Sequence, residues 1–245
     1  MAIAETASSD VRIVLGTLRL DRTRQSAAQV FDWLRQAILE VRLAPGTVLQ
    51  RAELAEHFGL SQTPIRDALQ RLGAEGLVDI YPQHATVVSR IDLAAAQEAH
   101  YLRQALELEL LHTICQLPDD AHAALMQRLA KHLTTQDAAL IHADLTAMLE
   151  ADQAFHREMY DAAGMNALRV LVRQQSGHVD RLRQLHLPTQ GKAQAVLADH
   201  RAIFEALQQK NTTAAQAALR QHLAGTLSFV DGMQARYPDW IRSAP

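Results

Sequence analysis

The sequence predicts a mainly α-helical chain, with an N-terminal winged helix-turn-helix domain followed by an all-helical antiparallel bundle. Three observations lead there. Residues 53–77, ELAEHFGLSQTPIRDALQRLGAEGL, read as two short helices joined by a tight turn at Gly59. Two β-like runs, LVDI and TVVS, follow at once and flank YPQHA, the tip of a hairpin. Beyond Ser89-Arg90-Ile91-Asp92, alanine and leucine dominate at helical spacing and no β-rich stretch recurs.

Each element has its own signal. Residues 1–23 carry no sustained periodicity and read as an arm. From Arg24 to Glu40, Val30, Phe31, Leu34, Ile38 and Leu39 recur at helical spacing, and Pro45-Gly46 then turns the chain. Glu53 to Phe58 makes a short helix that Gly59 stops. Ser61 suits the N-cap of the next helix, and Pro64 falls in its first turn, where a missing N–H costs nothing. Ile65, Ala68, Leu69 and Leu72 line that helix's inner face, which ends near Gly73 or Gly76. Asp92 can cap a long helix reaching about Leu117, before Pro118. Further helices are expected near 120–133, 137–163, 166–186, 192–209 and 212–234, punctuated by Gly164, the LPTQG stretch and Asn211-Thr212. The expected division is an arm at 1–23, a winged domain at 24–90, an effector and dimerisation bundle at 91–235 and a tail at 236–245.

Composition narrows the class. The 245 residues allow one large or two modest domains with real cores. Net charge is −3, and the part through Arg90 is neutral, with 10 basic and 10 acidic residues. A nucleic-acid contact must therefore come from local clustering rather than a basic domain. Arginine supplies 21 of the 24 basic residues; its fork suits phosphates and guanine edges, and GC-rich coding gives the same count. A single cysteine, Cys115, excludes an internal disulfide and fits a reducing compartment. The N-terminus lacks a secretory signal, and no run reaches about 18 apolar residues. A cytoplasmic protein without a membrane partner is the expectation.

A DNA-reading helix needs hydrogen-bonding side chains on its outward N-terminal face. Ser61, Gln62, Thr63 and Arg66 meet that demand. Gln62 can read an adenine edge or Arg66 a guanine, while Ser61 and Thr63 reach phosphates or thymine oxygens. Arg51 and Arg71 would steady the backbone, and His84 at the hairpin tip would touch a groove or phosphate. The plainer alternative has Ser61 and Thr63 as caps and Arg66 paired with Asp67 or Glu56. The run Pro45-Gly46, Leu54-Ala55, Ser61-Gln62-Thr63-Pro64-Ile65-Arg66-Asp67-Ala68-Leu69, Arg71-Leu72 and Glu75-Gly76-Leu77-Val78 resembles the winged helix-turn-helix of the GntR family of bacterial transcriptional regulators. That resemblance implies a homodimer reading a short palindrome in double-stranded operator DNA, with Arg66 central. Gln62 stands where the family often has arginine, His84-Ala85 where its wing often has glycine, and Val41 where a helix-ending glycine is frequent.

The bundle carries most of the 12 histidines. Asp152 and His156, spaced i,i+4, share a helix face, and His200 and His222 lie on or beside other apolar stripes. Three imidazoles and a carboxylate from three helices would make an N3O site for a divalent ion. Spacing alone equally permits satisfied core histidines. Residues 92–235, through Arg103 and Glu107, Asp152-x-x-Phe155-His156, Asn166, Asp199-His200, Ile203 and His222, resemble the FCD effector domain of FadR-like regulators. That resemblance implies a metal on Asp152, His156, His200 and His222, zinc first and nickel or manganese next, with a small carboxylate or sugar acid as effector. Asp199 replaces the glutamate usual before the second histidine. Arg103 would hold an effector oxyanion, and His178, like Arg173 or Arg181, would either line the cavity or be an interface or surface residue. The resulting reading is a ligand-responsive transcriptional repressor and not an enzyme. The alternatives are a regulator whose metal is purely structural, or a metal-assisted hydrolase. Against the hydrolase, no HExxH-like general-base pattern accompanies the segment EADQAFHREMY that carries Asp152 and His156.

Overall fold

The computed structural model describes residues 11, 15–16, 20–21, 23–82, 84–227 and 229–242. Among them the chain forms two compact units, and neither is contiguous in sequence: one holds 1–96, 175–185 and 231–245, the other 97–174 and 186–230. The expected contiguous division therefore differs from the packing. A stretch from the middle of the bundle sequence, together with the C-terminal segment, packs with the winged part.

The first unit begins with α1 (Ser26–Leu39), α2 (Arg51–Phe58) and α3 (Gln62–Ala74), then β1 (Val78–Ile80) and β2 (Thr86–Val88). Ile65, Ala68, Leu69 and Leu72 are buried along α3, the i, i+3, i+4, i+7 stripe read from the sequence. They join Val30, Leu34, Ile38, Leu54 and Phe58 in one core. Gly59 ends α2 at φ 63°, a left-handed position that suits glycine. Val41 holds φ 57° while buried, so a β-branched residue sits in a strained region at the place where the family often has glycine. A partly buried ion pair, Arg35 Nε to Glu75 Oε2 at 2.6 Å, ties α1 to the end of α3. β1 and β2 pair antiparallel, with Val78 opposite Val88 and Ile80 opposite Thr86, as the hairpin reading expects. Much of the 1–23 arm lies outside the described residues. Val11 and Leu15 are buried in the winged core, and Trp33 Nε1 donates to Leu15 O at 3.0 Å.

The same unit receives β3 (Ile91–Asp92), α8 (Gly177–His186, to Leu185), α11 (Val230–Arg236, from Asp231) and β4 (Ile241–Arg242). The expected tail is thus partly structured: β4 pairs parallel with β3, Ile91 opposite Ile241. Gly177 admits Leu77, since a Cβ there would stand 2.6 Å from Leu77 Cδ2.

The second unit contains α4 (Leu93–Cys115) from Gln97 onward, α5 (Asp119–Ile141), α6 (Leu145–Ala162), α7 (Asn166–Gln175), α9 (Lys192–Gln208) and α10 (Thr212–Leu227). Asp92 caps α4 as expected, accepting from Ala94 N at 2.9 Å. Leu111, Ile114, Leu125, Leu129, Phe155, Met159, Ile203, Leu207, Leu219 and Leu223 form its main core. Three helix boundaries differ from the sequence reading. α5 runs through Thr134 and Thr135, whose hydroxyls donate to the carbonyls of Ala130 and Lys131 at 3.1 Å instead of breaking the helix. The break falls at His142–Asp144, where Ala143 adopts φ 52° and Asp144 accepts from Ala147 N to start α6. The expected helix 166–186 is interrupted at Ser176, and 212–234 divides into α10 and α11. No helix of the described residues is long and apolar enough to cross a membrane.

Candidate metal centre and nucleic-acid interface

In the second unit, α6, α9 and α10 bring Asp152, His156, His200 and His222 together, all buried, with one ligand atom from each within 4.8 Å of the others. The three imidazoles present the same nitrogen. His156 Nε2 and His200 Nε2 lie 3.2 and 3.3 Å from His222 Nε2, and His200 Nε2 lies 3.5 Å from Asp152 Oδ1. Two ligands each about 2.1 Å from a tetrahedral ion stand roughly 3.4 Å apart, so these spacings fit a first-row divalent cation. The donor set, three imidazoles and a carboxylate, fits one as well.

The opposite ring nitrogens face acceptors. His156 Nδ1 is 3.0 Å from Glu107 Oε2, His200 Nδ1 is 2.9 Å from Gln136 Oε1, and His222 Nδ1 is 3.7 Å from Asp199 Oδ2. Phe155 stacks on His200 with centroids 4.4 Å apart. Burial works against charge on Glu107, yet Arg103, 2.8 Å away, and His156 hold its carboxyl down to about 2. Burial lowers His222 to about 4, so the ring is a neutral donor at neutral pH.

Arg103, expected to hold an effector oxyanion, is buried against Glu107. His178 is not among the residues that converge; it lies in the first unit. There its Nδ1 accepts from Asp92 N at 3.0 Å and from Arg181 at 2.9 Å. Arg181 is fully buried, donating to Ser89 O at 2.6 Å and to Ser89 Oγ at 3.3 Å. Both residues hold the first unit together instead of lining the cluster. Glu107 was visible in the sequence as part of the resemblance, but Gln136 and the outer roles of all three acceptors were not. They depend on contacts distant in sequence, 64 residues apart between Gln136 and His200, which no local pattern encodes.

On the winged unit, Arg51, Ser61, Gln62, Thr63, Arg66, Arg71 and His84 are all exposed. Ser61 occupies the N-cap position of α3, yet its side chain makes no cap hydrogen bond. Arg66 approaches Asp67 only at 3.5 Å, with both side chains about half exposed. Arg71 lies over the Phe31 ring at 3.9 Å, which fixes its stem against the core.

Residues 26–88 match the family described as bacterial regulatory proteins, gntR family, and residues 98–225 match the FCD domain. The chain belongs to the GntR family. It is a transcriptional regulator of the FCD-bearing kind. A helix-turn-helix regulator from an unstable DNA locus of Streptomyces ambofaciens is 33% identical over 216 residues, 88% of this chain and 89% of that one. The transcriptional repressor RspR of Escherichia coli K12 is 27% identical over 223 residues, 91% of this chain and 96% of that one. A GntR regulator from Rhodococcus sp. RHA1 shares the fold, with a TM-score of 0.71 at 21% identity over 84% of this chain and 97% of that one.

Proposed function

We propose that this GntR-family regulator is a cytoplasmic, homodimeric repressor that binds a palindromic operator, with its DNA affinity set by a small organic or sugar acid at a metal centre. The observation that carries the reading is the convergence of Asp152, His156, His200 and His222 in a chain whose α3 begins with exposed polar side chains. Those four residues hold the divalent ion, zinc first and nickel or manganese next. Held by these four residues, the ion would accept a carboxylate oxygen by expanding its shell beyond four ligands. In this reading Arg103, paired with Glu107 beside His156, holds a second oxyanion of the effector.

On DNA, Gln62 and Arg66 read base edges, while Ser61, Thr63, Arg51, Arg71 and His84 contact backbone or groove. Two such units related by a two-fold axis match an inverted repeat, and effector binding alters their spacing. The full burial of His200 favours a second reading, in which the metal only ties α6, α9 and α10 together.

Operator binding by fluorescence anisotropy separates the two. Metal-loaded and chelator-treated protein are titrated with DNA, with and without a panel of small carboxylates. An acid should shift affinity only in the metal-loaded protein. An acid response that survives metal removal unchanged rejects the effector role. Arg66→Ala should weaken cognate binding by roughly 1–3 kcal/mol, a loss that unchanged affinity would refute.

A further inference from the structure

The three imidazoles of the centre are not backed alike. Glu107, on α4, is a fully buried carboxylate 3.0 Å from His156 Nδ1, and its other oxygen receives Arg103 Nε at 2.8 Å. Gln136, on α5, is a neutral amide 2.9 Å from His200 Nδ1. Asp199 stands 3.7 Å from His222 Nδ1 and is about a quarter exposed. A carboxylate behind a metal-bound imidazole fixes the ring so that its far nitrogen faces the ion, and it raises that nitrogen's basicity. An amide fixes the ring without the charge. A longer, water-facing contact does less of either.

We propose that Glu107, anchored by Arg103, is the principal positioning residue of the metal centre, acting through His156. The outer shell is graded Glu107, then Gln136, then Asp199. The inference rests on the metal reading of Asp152, His156, His200 and His222. It gives Arg103 a task that does not require contact with an effector. Arg103 Nε holds Glu107 Oε1 at 2.8 Å, which places the other carboxylate oxygen 3.0 Å from the His156 ring in a buried setting.

The test titrates full-length protein with zinc alone, in competition with a chromophoric chelator. Histidine ¹⁵N shifts are recorded in parallel to report which ring nitrogen carries the proton. Glu107→Gln keeps the shape and removes the charge; it should weaken zinc binding by about 10- to 100-fold, with the His156 signals shifted and those of His222 little changed. Gln136→Met should cost less, and Asp199→Asn least. Should Glu107→Gln leave Arg103 unpaired and the chain unfolded, the double variant Arg103→Met with Glu107→Gln removes both buried charges and should show the same zinc loss. Wild-type affinity in whichever of these variants folds, or a larger loss in Asp199→Asn, overturns the role of Glu107. A wild-type protein that takes up no zinc overturns the centre itself and the inference with it.

Discussion

Two buried polar clusters of this molecule have opposite electrostatic designs. In the second unit, three ring nitrogens and a carboxylate oxygen converge within 4.8 Å, a concentration of lone pairs. In the first unit, the cation is built in. Arg181 is buried and distributes its donors over Ser89 O, Ser89 Oγ and His178 Nδ1, while Ser89 Oγ donates onward to Gly76 O at 2.6 Å. Burial pulls the guanidinium down only to about 10, so it remains charged at neutral pH. A buried set of acceptors calls for a cation from outside; a buried set organised around a donor is complete as folded. Stability of the first cluster should therefore be independent of added metal, and that of the second should depend on it.

Arg181→Ala should produce the largest effect. It leaves the Ser89 carbonyl without its donor and opens a cavity, at a cost of about 3 kcal/mol in chemical denaturation, the same with zinc or with chelator. A cost that appears only with zinc would erase the contrast. His222→Ala should behave in the opposite way. Zinc at 100 times its dissociation constant should stabilise the wild type by about 2.7 kcal/mol, and the variant should forfeit most of that in addition to a metal-independent cavity cost.

The third effect is a pH dependence. Burial, then the Arg181 charge, lower His178 from 6.5 to about 4, with Asp92 opposing and Arg242 adding to the depression. A lowered folded value means that the unfolded chain binds the extra proton first. The contribution is present above pH 6.5 and is lost as pH falls toward 4. Protonation also removes the acceptor used by Asp92 N and Arg181. His178→Asn should therefore flatten the stability profile between those values by up to one proton, read from urea midpoints. An acid limb as steep as that of the wild type would show that His178 does not supply it.

The contrast also explains what could be read in advance. Asp152 and His156 announce themselves by i,i+4 spacing, and His200 and His222 by their place on apolar stripes, so the candidate metal ligands are local signals assembled by packing. The helix-turn-helix was legible for the same reason: Gly59, Ser61 and the Ile65-Ala68-Leu69-Leu72 stripe are short-range. Arg181 was not. Its partner Ser89 is 92 residues away, and an arginine between Asp180 and Arg183 looks like a solvated or cavity-lining charge until the fold buries it. His178 misled in the same way, since a histidine in a histidine-rich bundle sequence carries no mark of the unit it joins. The break after Ile141 has neither glycine nor proline, only Ala143 at a left-handed φ, so the boundary expected between 133 and 137 fell in the wrong place.

Metal analysis of the full-length protein after zinc reconstitution and dialysis tests the central claim most directly. One equivalent of zinc per chain in the wild type is expected, falling to near zero in His200→Ala with the helical circular dichroism retained. A folded wild-type protein that holds no zinc, nickel or manganese, or a His200→Ala variant that keeps a full equivalent, would contradict the assignment of Asp152, His156, His200 and His222 as a metal centre.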